Sequence, residues 1–463
     1  MFCEAATEQL ESDKQAVPIT GQPNLPLEGD ESVAGRSNRS DELDAAEENG
    51  LKEGERPSLR RLLQSAIGMD LASISIPITY NEPLTFLQRV LEHLQYHELL
   101  ERANEHEDPL VRLLYVTVFA ISCFANTDRK FKPFNPLLGE TFQYTNEKEN
   151  IRFFSEQVSH HPPITASYCE GNGWRFSQSQ NVKTKFLGNS LDVSPNGNTH
   201  VFLDKFREHY SWPNIHTIVH NLIVGRMWID HFGTCKITVQ DCDTGNISSR
   251  YSQITYQECG WFGRHWREVN GQVFDNSTAY LVIDGKWNSE LTVTVTASWP
   301  RSTENEGLFG STPKTIWKHT PELCTDPKYA KYEWTKNTLR AIELDDQIRQ
   351  NVLLTDSRLR EDRLMLQEGD VSRAAVAKHE LEEAQRTRKN YRAQNDIQWS
   401  PRHFVLAANS EDECARRFFD KNDWVFKGWS QRRDQDSSQD SHRPHKIISD
   451  EDASMLWRLS KDW

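Results

Sequence analysis

EQVSHHPP, residues Glu156–Pro163, sets two adjacent imidazoles directly before two prolines. Pro162 disfavours helix at His161 and drives that residue toward an extended backbone. Pro163 carries the constraint further, so His160 and His161 are displayed on a stiff segment. Neighbouring side chains of an extended chain point to opposite sides. A single metal ion would then meet both rings with difficulty, and the near carboxylate is Glu156 alone. No nucleophile motif stands beside them, which weakens acid–base catalysis. Binding a phosphate asks less. A neutral imidazole supplies one donor and an imidazolium two, and an approaching dianion favours the charged form. A His-Pro turn capping a strand is the alternative reading.

Two more stretches carry similar chemistry. In KPFNPLLGE, Lys132–Glu140, Pro133 and Pro136 forbid a regular helix. Lys132 is a point charge suited to phosphate, and Asn135 donates to and accepts from hydroxyls. The same stretch also reads as a Pro-rich turn packed by Phe134 and Leu137. Lys378, Glu382 and Arg386 stand at i, i+4 and i+8 of a strongly helical pattern. They share one face over roughly 12 Å. A solvated ladder of charges is the bland reading. However, Lys before Glu is the weaker order for helix support, although Glu382–Arg386 is the better one. Two cations flanking a carboxylate suit a polyol phosphate.

Around these segments the texture is mostly β. Leu291–Ala297 alternates strictly, and Lys236–Gln240 and Ala279–Ile283 are rich in strand formers. Turn signals recur at Asn196-Gly197 and across Asp243–Asn246. Strands without long intervening helices favour antiparallel pairing, in a sandwich or a barrel. Pro83–Tyr96, Val111–Ala125 and Arg358–Arg392 read as helical, the last interrupted at Gly369. Leu59, Leu62, Leu63, Ala66 and Ile67 fall at helical spacing, as a core helix or a movable apolar flap. Residues 1–57 show no apolar period and read as disordered. Ser430–His445 reads as flexible, while Trp424, Phe426 and Trp429 suggest that the C-terminal stretch folds back onto something.

Composition sets the outer limits. The chain has 463 residues, 14 Trp, 21 Phe and 12 Tyr, enough for a substantial aromatic core. Net charge is -14, and residues 1–57 hold 14 acidic and 5 basic side chains. The rest is nearly balanced, which argues against nucleic acid as a partner. A local basic patch can still meet a membrane. The eight cysteines form no Cys-x-x-Cys pair, so a structural zinc site is not expected. No signal segment opens the chain, and a reducing cytoplasmic setting is expected. The apolar run Leu113–Ala125 is too short for a bilayer, which needs about 20 residues. It reads as a buried helix.

Taken together, the stretches resemble the oxysterol-binding-protein-related family, whose fingerprint is EQVSHHPP. KPFNPLLGE matches in the same order. So do HNLIVGRMWIDHFG at His220–Gly233, GKW at Gly285–Trp287, TDSRLR at Thr355–Arg360 and KHELEEAQR at Lys378–Arg386. The resemblance runs over residues 58–404. It implies an α+β, mainly β fold: a near-closed antiparallel β-barrel with a central lipid tunnel, an N-terminal lid over residues 58–80 and flanking helices. Residues 1–57 would be an acidic tail and 405–463 a C-terminal extension. The lid residues would be Leu59, Leu62, Leu63, Ala66 and Ile67. By resemblance, the headgroup of phosphatidylinositol 4-phosphate would meet Lys132, Asn135, His160, His161, Lys378, Glu382 and Arg386. A sterol or phosphatidylserine would be the second lipid.

The implied protein is a peripheral lipid exchanger without cofactor, metal or catalytic residue. A lipid sensor that signals to a partner is the alternative, and a His-dependent hydrolase a remote third. Some positions depart from the family pattern. Leu353-Leu354-Thr355 stands where Pro-Pro-Thr is common, and Glu361 where Pro is usual. No pleckstrin-homology domain is expected. Residues 41–47, DELDAAE, keep only part of the acidic endoplasmic-reticulum anchor motif and lack its aromatic.

Overall fold

The structure is a computed structural model and describes residues 76–296 and 312–429. The expected lid residues, the acidic tail and Ser430–His445 lie outside the described residues. Among the described residues, a short parallel pair comes first, β1 (Asn81–Thr85) with β2 (Lys132–Phe134). The strands that follow are β3 (Thr141–Asn146), β4 (Ile151–His160), β5 (Pro163–Glu170), β6 (Trp174–Phe186), β7 (Leu191–Asn196), β8 (Asn198–Leu203) and β9 (Glu208–Pro213). Next come β10 (His216–His220), β11 (Trp228–Asp241), β12 (Ile247–Tyr256), β13 (Glu268–Asp275), β14 (Thr278–Lys286), β15 (Glu290–Val295) and β16 (Lys314–Lys318).

From β3 to β16 these strands form one 14-stranded sheet. Its path runs β3-β4-β5-β6-β7-β10-β11-β12-β13-β14-β15-β16, each strand antiparallel to the next. Between β6 and β11 the sheet forks. β7 and β10 join them at one end, while β8 and β9 join Trp174–Gln178 to Thr238–Asp241 at the other. The result is a ring of strands, as expected for a nearly closed antiparallel barrel. Local sequence explains the pieces. Leu291 and Val293 of β15 are buried while Thr292 between them is not, the half-buried alternation expected there. The β7–β8 turn needs Gly197 at φ 110°, because a Cβ would come within 2.2 Å of the Ser179 carbonyl oxygen.

Four helices reach eight residues among the described residues: α1 (Glu98–Glu105), α2 (Pro109–Ser122), α3 (Glu361–Glu368) and α4 (Val371–Gln394). In α2 the Asp108 carboxylate caps the N-terminus, accepting from the Leu110 N–H at 2.8 Å, and Pro109 occupies the first turn. Every residue from Leu110 to Ser122 is buried, as befits a helix apolar all round. Phe119 meets Phe176 of β6 edge-on, Thr117 donates to Ser252 of β12 at 2.7 Å, and Arg112 grips Glu208 of β9 at 2.7 and 2.8 Å. The short apolar run is thus a core helix, and no helix of the described residues is long and apolar enough to cross a membrane.

Pro83–Tyr96 departs from its helical reading. The Asn81 amide donates to the carbonyls of Lys132 and Pro133, which draws residues 81–85 into β1. Helix begins only at Phe86, where Thr85 and Gln88 form a capping box, and it tightens to a 3-10 turn over Val90–Leu94. Gly369, at φ 90°, divides α3 from α4 as the sequence suggests. At the C-terminus, β17 (Phe404–Leu406) pairs with β18 (Trp424–Phe426). This pair lies against β4–β6. Tyr168 stacks on Phe426 at 4.8 Å, Trp429 joins the Phe154 cluster, and the Trp424 N–H donates to Ser179 at 2.9 Å.

Candidate functional site

The last pair of the β4–β5 hairpin is His160 with Pro163, and His161-Pro162 forms its turn through a cis peptide. The stiff extended display expected from the two prolines is therefore replaced by a hairpin. Strand alternation stops at His160, and the two rings meet edge to face with centroids 4.7 Å apart instead of pointing away from each other. Gln157 braces the strand end, donating to the Ser159 carbonyl at 2.8 Å and accepting from Thr165 at 2.7 Å. His161 is exposed, whereas the His160 ring is largely covered.

Burial chiefly lowers the His160 pKa to about 4, helped by His161 and Arg360 and opposed by the Pro136 carbonyl and Glu382. The ring is neutral at pH 7. It donates to Pro136, and its buried Nδ1 has no hydrogen-bond partner among the described residues. Such an atom takes a ligand hydroxyl as it stands, or a phosphate once it gains a proton.

KPFNPLLGE is zipped to β4 by its backbone. Gly139 donates to the Gln157 carbonyl at 3.0 Å and Gln157 to the Glu140 carbonyl at 2.9 Å. Gly139 sits at φ 77°, and a Cβ there would come 2.7 Å from the Trp399 ring. That ring is itself held by its N–H on the Val158 carbonyl at 2.9 Å. Beneath the loop lies Arg360, fully buried. It donates through Nη1 to the Asn135 carbonyl at 2.8 Å and to Glu140 at 2.9 Å, and through Nε and Nη2 to both oxygens of Asp362. The Asn135 backbone is locked while its side chain is exposed. Lys132 stands at the start of β2, half-buried.

Helix α4 supplies the third side. Ala374, Ala377 and Leu381 form its buried stripe, and Leu381 packs on Leu137. The Leu138 N–H donates to Gln385 at 2.8 Å. Lys378 and Glu382 border this stripe and are largely covered, joined to each other at 2.8 Å. Arg386 is more than half exposed and pairs with Glu383 instead of Glu382. Thus Lys378, Glu382, His160 and the Asn135 loop are brought to one place, while Arg386 stands at its edge.

Several residues of the site escape a reading by motif. Asp362 and Trp399 hold the loop without a local pattern to mark them, while Arg360 and Gln385 lie inside the TDSRLR and KHELEEAQR matches, where nothing in the spacing names their distant partners. Glu156 accepts from the Arg402 and His403 N–H groups, each at 2.9 Å, and ties the segment after α4 back to β4. Burial raises its pKa to about 7, against the pull of those two N–H groups and of Lys427 and Arg402. Among the described residues no group of three or more His, Cys, Asp or Glu side chains could hold a metal ion.

Comparison with known proteins bears on this geometry. Residues 58–434 match the family model described as oxysterol-binding protein. Oxysterol-binding protein-related protein 3C of Arabidopsis thaliana is 37% identical over 381 residues, covering 82% of this chain and 80% of that protein. Among solved structures, the Osh1 ORD domain in complex with ergosterol superposes with a TM-score of 0.71 at 32% identity, covering 82% of this chain and 89% of that one. The Osh3 ORD of Saccharomyces cerevisiae in complex with PI(4)P gives 0.65 at 27% identity, covering 83% and 95%.

Proposed function

The chain belongs to the oxysterol-binding protein family, and from that premise we propose that it binds a phosphoinositide and a second lipid in turn and carries them between membranes. One observation carries this reading: the β4–β5 hairpin, the KPFNPLLGE loop and α4, far apart in sequence, are locked into one site by named hydrogen bonds. In this assignment Lys132, His160, His161, Lys378 and Arg386 meet phosphate oxygens of phosphatidylinositol 4-phosphate. Asn135 and Glu382 meet the inositol hydroxyls. Two neighbours support the pairing of ligands, since one structure holds PI(4)P and another ergosterol. We take the second lipid to be a sterol, with phosphatidylserine the other choice, bound within residues 58–404.

The physics favours a carrier over an enzyme. Exposing acyl chains or sterol rings to water costs about 0.8 kcal/mol per CH₂. A closed apolar interior removes that cost in transit, while the charged headgroup stays with fixed donors at the rim. Exchange then needs no bond to be made or broken.

The test is extraction from liposomes bearing a panel of lipids, followed by transfer to acceptor liposomes. The double variant His160→Ala, His161→Ala is expected to lose phosphatidylinositol 4-phosphate and keep the second lipid. Normal extraction of the phosphoinositide by that variant would refute the site. Tight extraction with negligible transfer by the unaltered protein would replace the exchanger with a sensor.

A further inference from the structure

Between the C-terminal segment and strands β6 and β8 the fold holds a cavity of about 230 Å³. Its walls are mostly aromatic: Tyr168, Phe202, Phe418, Phe419, Phe426 and Trp429. These walls are fixed in place. Phe202 meets Phe418 edge-on at 5.9 Å and stacks on Phe419 at 6.0 Å. Asn198 donates to Asp420 at 2.7 Å and to Asp423 at 3.1 Å, and Arg417 donates to the Asp243 carbonyl at 3.3 Å. The segment running from the short helix Glu413–Phe418 to β18 is thus pinned to the barrel at several points.

Size narrows what fits. Small-molecule pockets run from about 300 to 1,000 Å³, so this cavity is too small for a lipid and suits one or two side chains. Pockets that receive side chains are filled chiefly by Trp, Tyr and Arg. The rim is charged. Arg175 lies over the Phe202 ring at 4.8 Å and pairs with Asp204. Asp412 is exposed, and its carboxylate accepts from the Cys414 N–H at 2.9 Å.

One stretch of the same chain has matching chemistry. Met455–Trp463 reads MLWRLSKDW, with Met455, Leu456, Trp457, Leu459 and Trp463 apolar and Arg458 and Lys461 cationic. Gly428 and Trp429, the last described residues, line the cavity itself. The chain therefore leaves the described structure at the place to which this stretch would return. Residues 430–454 span up to about 80 Å when extended, more than the return needs. A linker holds its second group at a concentration on the order of millimolar, so a contact of modest strength suffices. The stretch also lies beyond residues 58–434, which match the family model.

We propose that Met455–Trp463 folds back onto its own chain and seats a tryptophan in the cavity between β6, β8 and the C-terminal segment, with Arg458 and Lys461 toward the rim carboxylates. Antiparallel order puts the start of β6 at the end of the barrel opposite the His161-Pro162 turn. The contact is thus separate from the headgroup site and independent of the lipid reading.

Cys414 lines the cavity and is exposed, which makes it a reporter. The test follows alkylation of individual cysteines of the full chain by a bulky maleimide, read by peptide mass mapping, with Cys259 as the internal reference. Trp457→Ser with Trp463→Ser should speed alkylation of Cys414 roughly tenfold or more and leave Cys259 unchanged. Trp457→Phe with Trp463→Phe should behave as the unaltered protein does. A synthetic peptide of residues 450–463, added to the serine variant, should restore the slow rate, and the same peptide with both tryptophans replaced by serine should not. Equal Cys414 rates in the unaltered protein and the serine variant would overturn the proposal. So would a matching acceleration at Cys259, or a peptide that fails to protect. Protection that strengthens with protein concentration would assign the cavity to a second copy and equally overturn the fold-back.

Discussion

The backbone N–H of Leu138 donates to the side-chain oxygen of Gln385 at 2.8 Å, across 247 positions of sequence. This bond, with Leu137 against Leu381, registers helix α4 on the proline-rich loop. Gln385→Ala leaves the Leu138 N–H without its acceptor and costs about 1–3 kcal/mol. Headgroup affinity should fall several-fold, because Lys378 and Glu382 lose their register. Gln385→Glu retains the acceptor and should restore most of it. Titration with soluble headgroup, alongside thermal unfolding, distinguishes the two.

Arg360 is the buried cation under the Asn135 loop. Arg360→Met strands Glu140 and Asp362 without their counter-charge, and breaking such a pair costs about 3–5 kcal/mol. Chemical denaturation should show a drop of that order. Arg360→Lys should fall between, since it keeps the charge but lacks the planar fork. A loss below about 1 kcal/mol in the Met variant would mean the network is worth no more than a surface pair.

Glu156 gives the fold a pH dependence. Its folded pKa is raised from 4.5 to about 7, chiefly by burial. Its stabilising contribution is therefore full below about pH 4.5 and is lost as pH rises to about 7. Thermal stability measured across that window should contain a falling component that disappears in Glu156→Gln. An identical pH profile for the two proteins would contradict the assignment.

His160 has the opposite sign. Its folded pKa is lowered from 6.5 to about 4, so the stability it contributes is present above pH 6.5 and is lost as pH falls toward 4. A bound phosphate would favour the imidazolium and raise that pKa. Calorimetry in two buffers of different ionisation enthalpy should then register proton uptake on binding near neutral pH, absent in His160→Ala. No uptake in the unaltered protein would show that His160 stays neutral beside the ligand.

Much of the architecture is legible before any coordinate is known. Alternation at Leu291–Val293, the Asn196-Gly197 turn and the break at Gly369 each depend on neighbours within a few residues, and each appears where the pattern puts it. One exception depends on a distant partner and the other on a tight local turn. Residues 83–85 read as helix but are drawn into a strand by the Asn81 contacts with Lys132 and Pro133. The two histidines read as diverging but converge, because a hairpin turn interrupts strand alternation.

The sequence by itself determined the family, the β-rich character, the buried helix and the residue types of the headgroup set. Local periodicity and a long motif suffice for these. Tertiary structure decided which of those residues share a place. It set Lys378 and Glu382 beside the loop and turned Arg386 toward Glu383 at the edge. It gave His160 its lowered pKa and an Nδ1 without a partner among the described residues, and it placed Arg360 beneath Asn135. The reason is physical. Burial, charge proximity and hydrogen-bond partnership are properties of groups brought together through space, and no spacing along the chain encodes which distant atom will fill a given site.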